Sequence, residues 1–260
     1  MLLSGNLAAS RRVPFLTGLA AGTILGETEY SCKGERMSIF ERLALAGYTL
    51  KSDIVSVPLK LFGRGVRREI VRAAGPEPAV IVDLLTGTGS AALLYARRFP
   101  DARIVAVDRD PRILSFVSRR VEADTGKRIE ILAADARDLM LPAEAVDLVN
   151  ISYGLHELKK LDRSLVLGEA CRLLKPGGQL LVADYGEAGG FGRRFLMRFY
   201  FYFSEPRWVK ELFRGGLEKQ VADAGFEIVT VRRDLPMTQL IEARKSDEPA
   251  CAGAPHLRLI

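Results

Sequence analysis

Four apolar residues, Ala79, Val80, Ile81 and Val82, run into a carboxylate, Asp83. A tight turn, Leu84-Leu85-Thr86-Gly87-Thr88-Gly89-Ser90, follows, and then a helix-forming stretch over residues 91–99. Strand, glycine turn and helix in that order constrain the chain more than any bulk property. It is the context in which glycines let a ligand approach the backbone. The glycines alone do not name the ligand. Gly87, Gly89 and Ala92 also satisfy the dinucleotide pattern G-x-G-x-x-G/A, so a nicotinamide cofactor competes at this point.

Asp83 weighs against the nicotinamide. It stands at the carboxyl end of the strand, where a dinucleotide would place its pyrophosphate. An anion there repels phosphate and suits a ligand with a cationic amino group. S-adenosylmethionine (SAM) carries an α-ammonium, a sulfonium and no phosphate.

Further strands end the same way. Residues 104–108 form a second strand closing on Asp108, where a carboxylate accepts both ribose hydroxyls of an adenosine. Arg109 follows, and Asp110 and Pro111 read as the N-cap and first residue of a helix. Residues 129–136 read as a third strand carrying Asp135 to the adenine edge, followed by Ala136. Residues 146–151 are a fourth strand, opening into Ser152-Tyr153-Gly154-Leu155-His156-Glu157-Leu158. Leu173 to Gly178 closes a helix and turns into a fifth strand over residues 179–184.

This succession resembles the class I SAM-dependent methyltransferases over about residues 65–245. Within them it is most similar to the ubiquinone/menaquinone biosynthesis C-methyltransferases. Asp83-Leu84-Leu85-Thr86-Gly87-Thr88-Gly89 matches that family's cofactor loop, and Ile151-Ser152-Tyr153-Gly154-Leu155 its motif after the fourth strand. The resemblance implies SAM as cofactor. It implies contacts at Thr88, Asp108, Asp135, Ala136 and Ser152, with Asp83, Leu85, Thr86, Gly87, Gly89 and Arg109 in the same two loops. Two departures stand out. Leu85 occupies a position where many members have glycine, which tightens the methionine end of the site. The family's usual signature is missing after the fifth strand, which leaves the quinone acceptor open.

The remaining chain frames this core. Residues 37–74 are expected to be helical, with a second helix over residues 61–73 covering the cofactor pocket. A helix over residues 209–224, closed by Gly225, leads to strands six (residues 226–232) and seven (residues 239–243). The tail from Ser246 carries Pro249, Gly253 and Pro255 and is expected to be disordered. Residues 1–36 read differently: Arg11-Arg12 and an apolar, glycine-rich run to Gly26 have parts of an export signal. The plainer reading is an upstream start codon before Met37, with a membrane-associating arm or true export as alternatives. Cys32, Cys171 and Cys251 are odd in number and widely spaced, so neither a disulfide framework nor a metal site is expected, and a reducing, cytoplasmic setting follows. The net charge of +6 fits a solvated basic surface, with an anionic partner such as a membrane surface or RNA as the alternative.

Residues 187–208 form a lid-like insertion of unusual composition. Its core, Phe191 to Phe203, holds seven of the nineteen phenylalanines and tyrosines. A helix apolar nearly all round is buried or meets something apolar. Here that means the sheet edge, a homodimer partner, or a hydrophobic methyl acceptor.

Methyl transfer is an in-line displacement, so the protein mainly orients the acceptor and excludes water. A base is needed only for an acceptor that loses a proton. His156 and Tyr153 are the candidate catalytic residues, Glu157 and Tyr185 weaker ones. A lone histidine at that place otherwise caps the next helix, and Asp147, at the start of strand four, reads as structural. The fold expected is an α/β, Rossmann-like sheet of seven strands, strands one to six parallel and the seventh antiparallel, with helices on both faces. The function expected is methyl transfer from SAM to a small hydrophobic acceptor, quinone-like or lipid-like. RNA or protein methylation is disfavoured, because no Asn-Pro-Pro-Tyr-like tetrad or nucleic-acid domain appears. A non-catalytic SAM-binding scaffold remains an alternative.

Overall fold

A computed structural model describes residues 57–125, 129–186, 216–235 and 238–246. Residues 1–36, the stretch 37–56 expected to be helical, the aromatic insertion 187–208 and the tail beyond Ser246 lie outside the described residues.

Seven strands, β1 (Val80–Leu84), β2 (Arg103–Asp108), β3 (Ile129–Ala133), β4 (Val146–Ser152), β5 (Leu174–Tyr185), β6 (Phe226–Arg232) and β7 (Thr238–Lys245), form one sheet. Its order is β3-β2-β1-β4-β5-β7-β6. The described helices are α1 (Val57–Ala73), α2 (Ser90–Arg98), α3 (Pro111–Thr125), α4 (Lys160–Leu173) and α5 (Leu217–Asp223). Strands β1 to β5 pair in parallel, and β7 runs antiparallel to both β5 and β6. The expectation of six parallel strands therefore holds for direction only. Two reversals return β6 to the heading of β5, but its pairing is with the antiparallel β7.

Alternation along the strands builds two cores. Ile81, Ile104, Ala106, Leu148 and Leu181 face a layer that includes Val71 of α1, Tyr95 of α2 and Val117 of α3. Val82, Leu84, Val105, Val107, Val149 and Ile151 face Leu167 of α4 and Val221 of α5. Central strands covered on both faces read as continuous apolar runs, which is why β1 and β4 were legible. The chain steps outward from β1 to β3, then returns to β4 on the other side of β1. In open α/β sheets a ligand binds at such a reversal, beyond the carboxyl ends of the strands.

Several boundaries differ from those read in the sequence. Strand β3 stops at Ala133, so Asp135 stands in a loop whose backbone already turns, Asp138 N–H donating to the Asp135 carbonyl at 3.2 Å. Strand β5 begins at Leu174, which pairs with Val146 ahead of an irregularity in the register. Helix α1 begins at Val57, and the described part of the expected helix 209–224 is α5. Asp110 caps α3 as expected, its carboxylate accepting Arg112 N–H at 2.9 Å. Asp147 is structural: it accepts Ala79 N–H at 3.1 Å, Val80 N–H at 2.8 Å and Lys175 Nζ at 2.5 Å. Cys171 is fully buried in α4. Among the described residues no helix is long and apolar enough to cross a membrane.

Candidate functional site

The loop after β1 is folded by left-handed residues. Leu85, Gly87 and Gly89 have φ of 54°, 51° and 69°. Thr86 ties the loop down from between them: its N–H donates to Val107 O at 2.9 Å and its hydroxyl to Asp83 Oδ2 at 2.6 Å. Gly89 O then accepts Leu93 N–H at 3.0 Å and starts α2. A β-carbon on Gly89 would stand 2.7 Å from Val117 Cγ1 of α3. Leu85 holds a conformation that favours glycine, and its side chain lies on Gly154, where a β-carbon would approach Leu85 Cβ to 2.6 Å. The departure from glycine at this position thus closes the loop against the segment after β4. The Thr88 and Ser90 hydroxyls are 3.0 Å apart, and Arg120 of α3 donates to Thr88 O at 2.8 Å.

Asp83 is 1% exposed. It faces Asn150, its register partner on β4. Asn150 Nδ2 donates to Asp83 Oδ1 at 2.6 Å and lies 2.9 Å from Ser152 Oγ, and Tyr95 OH donates to Asn150 Oδ1 at 3.2 Å. Burial pushes the Asp83 carboxyl up to about 6, against the pull of the Thr86, Asn150 and Ala92 hydrogen bonds and the charge of Arg67. The same burial, with the Asp83 charge beside it, pushes the Tyr95 phenol well above its ordinary value. Asp83 is therefore not the open carboxylate its sequence position suggested. Both oxygens are engaged from below the loop, and it acts through Thr86, Asn150 and Ser152.

Asp108 is more available. Its Oδ2 accepts Gly87 N–H at 3.0 Å and its Oδ1 accepts Asp110 N–H at 3.1 Å, which clasps the first two loops together. A carboxylate has about four lone-pair sites, so roughly two remain for a ligand. Arg109 is exposed. Asp135 is held by Arg137, which donates through its backbone N–H at 3.0 Å and its guanidinium at 2.5 Å and keeps the carboxyl below the usual range. Its oxygens face Arg137 rather than an open adenine edge. Ala136 beside it is 4% exposed and packs in the core. Acids at the ends of successive strands, with hydroxyls between them, fit a ligand bearing hydroxyls and positive charge better than one bearing phosphates.

The far side of the site is built after β4 and β5. Tyr153 has φ of 57°. Its N–H donates to Ala183 O at 2.8 Å and its hydroxyl lies 2.7 Å from Thr238 Oγ1. Burial pushes its phenol up to about 12, so Tyr153 stays a neutral hydrogen-bonding group. His156 sits in a short 3₁₀ turn, Leu155–Glu157. Its ring Nδ1 lies 2.8 Å from Asp184 Oδ1, and its backbone N–H donates to Asp184 Oδ2 at 3.1 Å. Asp184 is fully buried and also accepts Tyr185 N–H at 2.7 Å. A carboxylate on Nδ1 fixes the tautomer that carries the ring's lone pair on Nε2. His156 does not cap α4, whose N-cap is Lys159 without a side-chain bond. Glu157 is exposed, and the Tyr185 ring packs 4.5 Å from the imidazole. Asn150, Asp184 and Tyr95 were not singled out in the sequence. The available signals were a polar residue two places after Leu148 on a buried face, and a fourth acid ending an apolar run.

Residues 81–178 match the family model described as a methyltransferase domain. The chain is 37% identical over 147 residues to a demethylmenaquinone methyltransferase of Thermus thermophilus, covering 56% of this chain and 64% of that protein. It is 37% identical over 119 residues to a malonyl-[acyl-carrier protein] O-methyltransferase of Methylococcus capsulatus, covering 45% of this chain and 42% of that protein. The chain thus spans less than two thirds of the length of either relative. The crystal structure of a SAM-dependent methyltransferase from Aquifex aeolicus superposes with a TM-score of 0.57 at 18% identity, covering 72% of this chain and 92% of that one, and so shares the fold. By the sheet order, the cofactor loop and the domain match, the chain is similar to the class I SAM-dependent methyltransferases, the quinone C-methyltransferases among them.

Proposed function

We propose that the protein transfers the methyl group of SAM to a small hydrophobic acceptor of the quinone or lipid class. The Asp108 carboxylate, clasped to the Gly87 N–H with acceptor capacity to spare, carries the cofactor half of this reading. The kinship with a demethylmenaquinone methyltransferase favours the quinone class. Leu85, Thr86, Gly87, Thr88 and Gly89 supply the floor under the methionine and ribose. Asp108 takes the ribose hydroxyls, with Arg109 beside it. Asp135, Ala136 and Ser152 border the adenine and the sulfonium, and Asp83 braces the loop beneath. When bound, SAM supplies an electrophilic methyl on sulfur. The residues around it hold the two reacting atoms in line and keep water out. His156, oriented by Asp184, takes up a proton through Nε2 when the acceptor must lose one.

Titration with SAM tests the cofactor assignment. Asp108→Ala is expected to weaken binding by about 1.5–3 kcal/mol, the range for hydrogen bonds to charged groups. Tighter binding of NADH than of SAM would end the reading. The acceptor class is tested by following S-adenosylhomocysteine release with a demethylated quinol, a lipid extract and malonyl-acyl-carrier protein in parallel.

The base is tested separately. His156→Gln is expected to lower kcat about a hundredfold, with SAM affinity nearly constant. An unchanged kcat would return His156 and Asp184 to a purely structural pairing.

A further inference from the structure

A fully buried cation stands behind the turn that carries His156. Arg163, in the first turn of α4, is 0% exposed, and a guanidinium stays charged at any working pH. Its Nη1 donates to Leu158 O at 2.8 Å and its Nε to Gln220 Oε1 of α5 at 2.9 Å. Val166 and Leu167 one turn along α4, and Leu217 and Val221 beside Gln220 on α5, belong to one apolar core. Taking a charge out of water into such surroundings is costly, and an apolar side chain of similar volume would fill the place without that cost. What the cation holds accounts for its presence better than packing does.

It holds the end of a weak element. The 3₁₀ turn Leu155–Glu157 closes on Leu158 through two bonds, Glu157 N–H to Gly154 O at 3.3 Å and Leu158 N–H to Leu155 O at 3.1 Å. Hydrogen bonds of this pattern have poor geometry. Leu155, fully buried, fixes the start of the turn, and Asp184 grips His156 in the middle. Lys159 gives the helix that follows no side-chain cap. The far end therefore rests on the bond from Arg163 to Leu158 O, and Gln220 aims the guanidinium at it. We infer that Arg163 is a positioning residue for His156, holding the turn so that the imidazole keeps its Nδ1 on Asp184. This rests on the reading of His156 as the base. Arginine suits the task because one planar group reaches the Leu158 carbonyl and the Gln220 amide together, which a lysine ammonium does not.

The chain has two histidines, His156 and His256. NMR of histidine-labelled protein, with His256→Gln for assignment, thus reads the ring without any acceptor. The wild-type protein should show a low-field, slowly exchanging Nδ1 proton for His156, the mark of an imidazole held on a buried carboxylate. Arg163→Met should lose this signal, with SAM affinity within about twofold of wild type, as for a distant site. Arg163→Lys, which keeps a donor for Leu158 O, should recover part of it. With a demethylated quinol as acceptor, Arg163→Met should lower kcat about tenfold or more, and should cost almost nothing further in the His156→Gln background, because the two residues act as a unit. A signal that survives Arg163→Met overturns the assignment. So does an equal loss of kcat with and without His156, which marks a general structural role. If Arg163→Met does not fold, Gln220→Met decides, since it keeps the cation and removes its aim; an unchanged His156 signal there overturns the assignment. A wild-type protein without the low-field signal would sink the base reading and this assignment with it, whereas a wild-type signal that Arg163→Met leaves intact sinks the assignment alone.

Discussion

Replacing Asp83 by alanine is expected to destabilise the fold by about 3–5 kcal/mol, because the Thr86 hydroxyl and the Asn150 amide lose a buried acceptor at about 1–3 kcal/mol each and a small cavity remains. Thermal and urea unfolding measure this directly, and SAM affinity should fall with it, since Thr86 sets the loop. The same carboxyl gives a pH signature. Its folded value of about 6 lies above the unfolded aspartate value of about 3.9. Between those values the native state binds more protons than the unfolded one. The contribution of Asp83 to stability is thus fully present below about pH 4 and is lost as the pH rises through 6. Function runs the other way. A protonated carboxyl turns a hydrogen towards donors that need an acceptor, so SAM affinity should decline as the pH falls below 6. Asp83→Asn isolates the effect from Asp110 and Asp135, whose lowered values oppose it. Identical pH profiles for stability and affinity in the wild type and Asp83→Asn would remove the carboxyl from both roles.

Gly89→Ala is expected to cost about 2–5 kcal/mol. Roughly 1–2 kcal/mol comes from holding an L-residue at φ of 69°. About 1–3 kcal/mol more comes from a methyl pressed against Val117. The two parts separate in a double variant. Adding Val117→Ala to Gly89→Ala should relieve the crowding and leave the backbone cost, so the combined loss should be smaller than the sum of the two single losses. Simple additivity would show that Val117 is not what confines this glycine.

The sheet was legible because its signals are local. An apolar run ending in an acid marks β1 and β2, and an apolar run without one marks β4, so each could be read from its own residues. What could not be read is pairing. Asp83 looked like an open anion because nothing nearby in sequence announces Asn150, which only the register of β1 against β4 brings opposite. His156 looked alone until β5 placed Asp184 beneath it. Asp135 is drawn into its loop by Arg137, two residues away, so the expected strand end fails where a local ion pair competes with the ladder. Arg163 carries no mark in the sequence, because Gln220 meets it only once α4 and α5 pack.

Strand β7 lies between β5 and β6 although it follows both in the chain. During synthesis β6 leaves the ribosome before the strand it pairs with has been made. Until then β5 ends the growing sheet as an open edge, the kind of surface on which unrelated chains pair and aggregate. The remedy is built into the order of the last two strands. Close in sequence and antiparallel, β6 and β7 can form a hairpin by local contacts, which is fast, and then dock as a unit against β5. The parallel half of the molecule, which carries the ligand edge, would thus be shaped early and its flank sealed last.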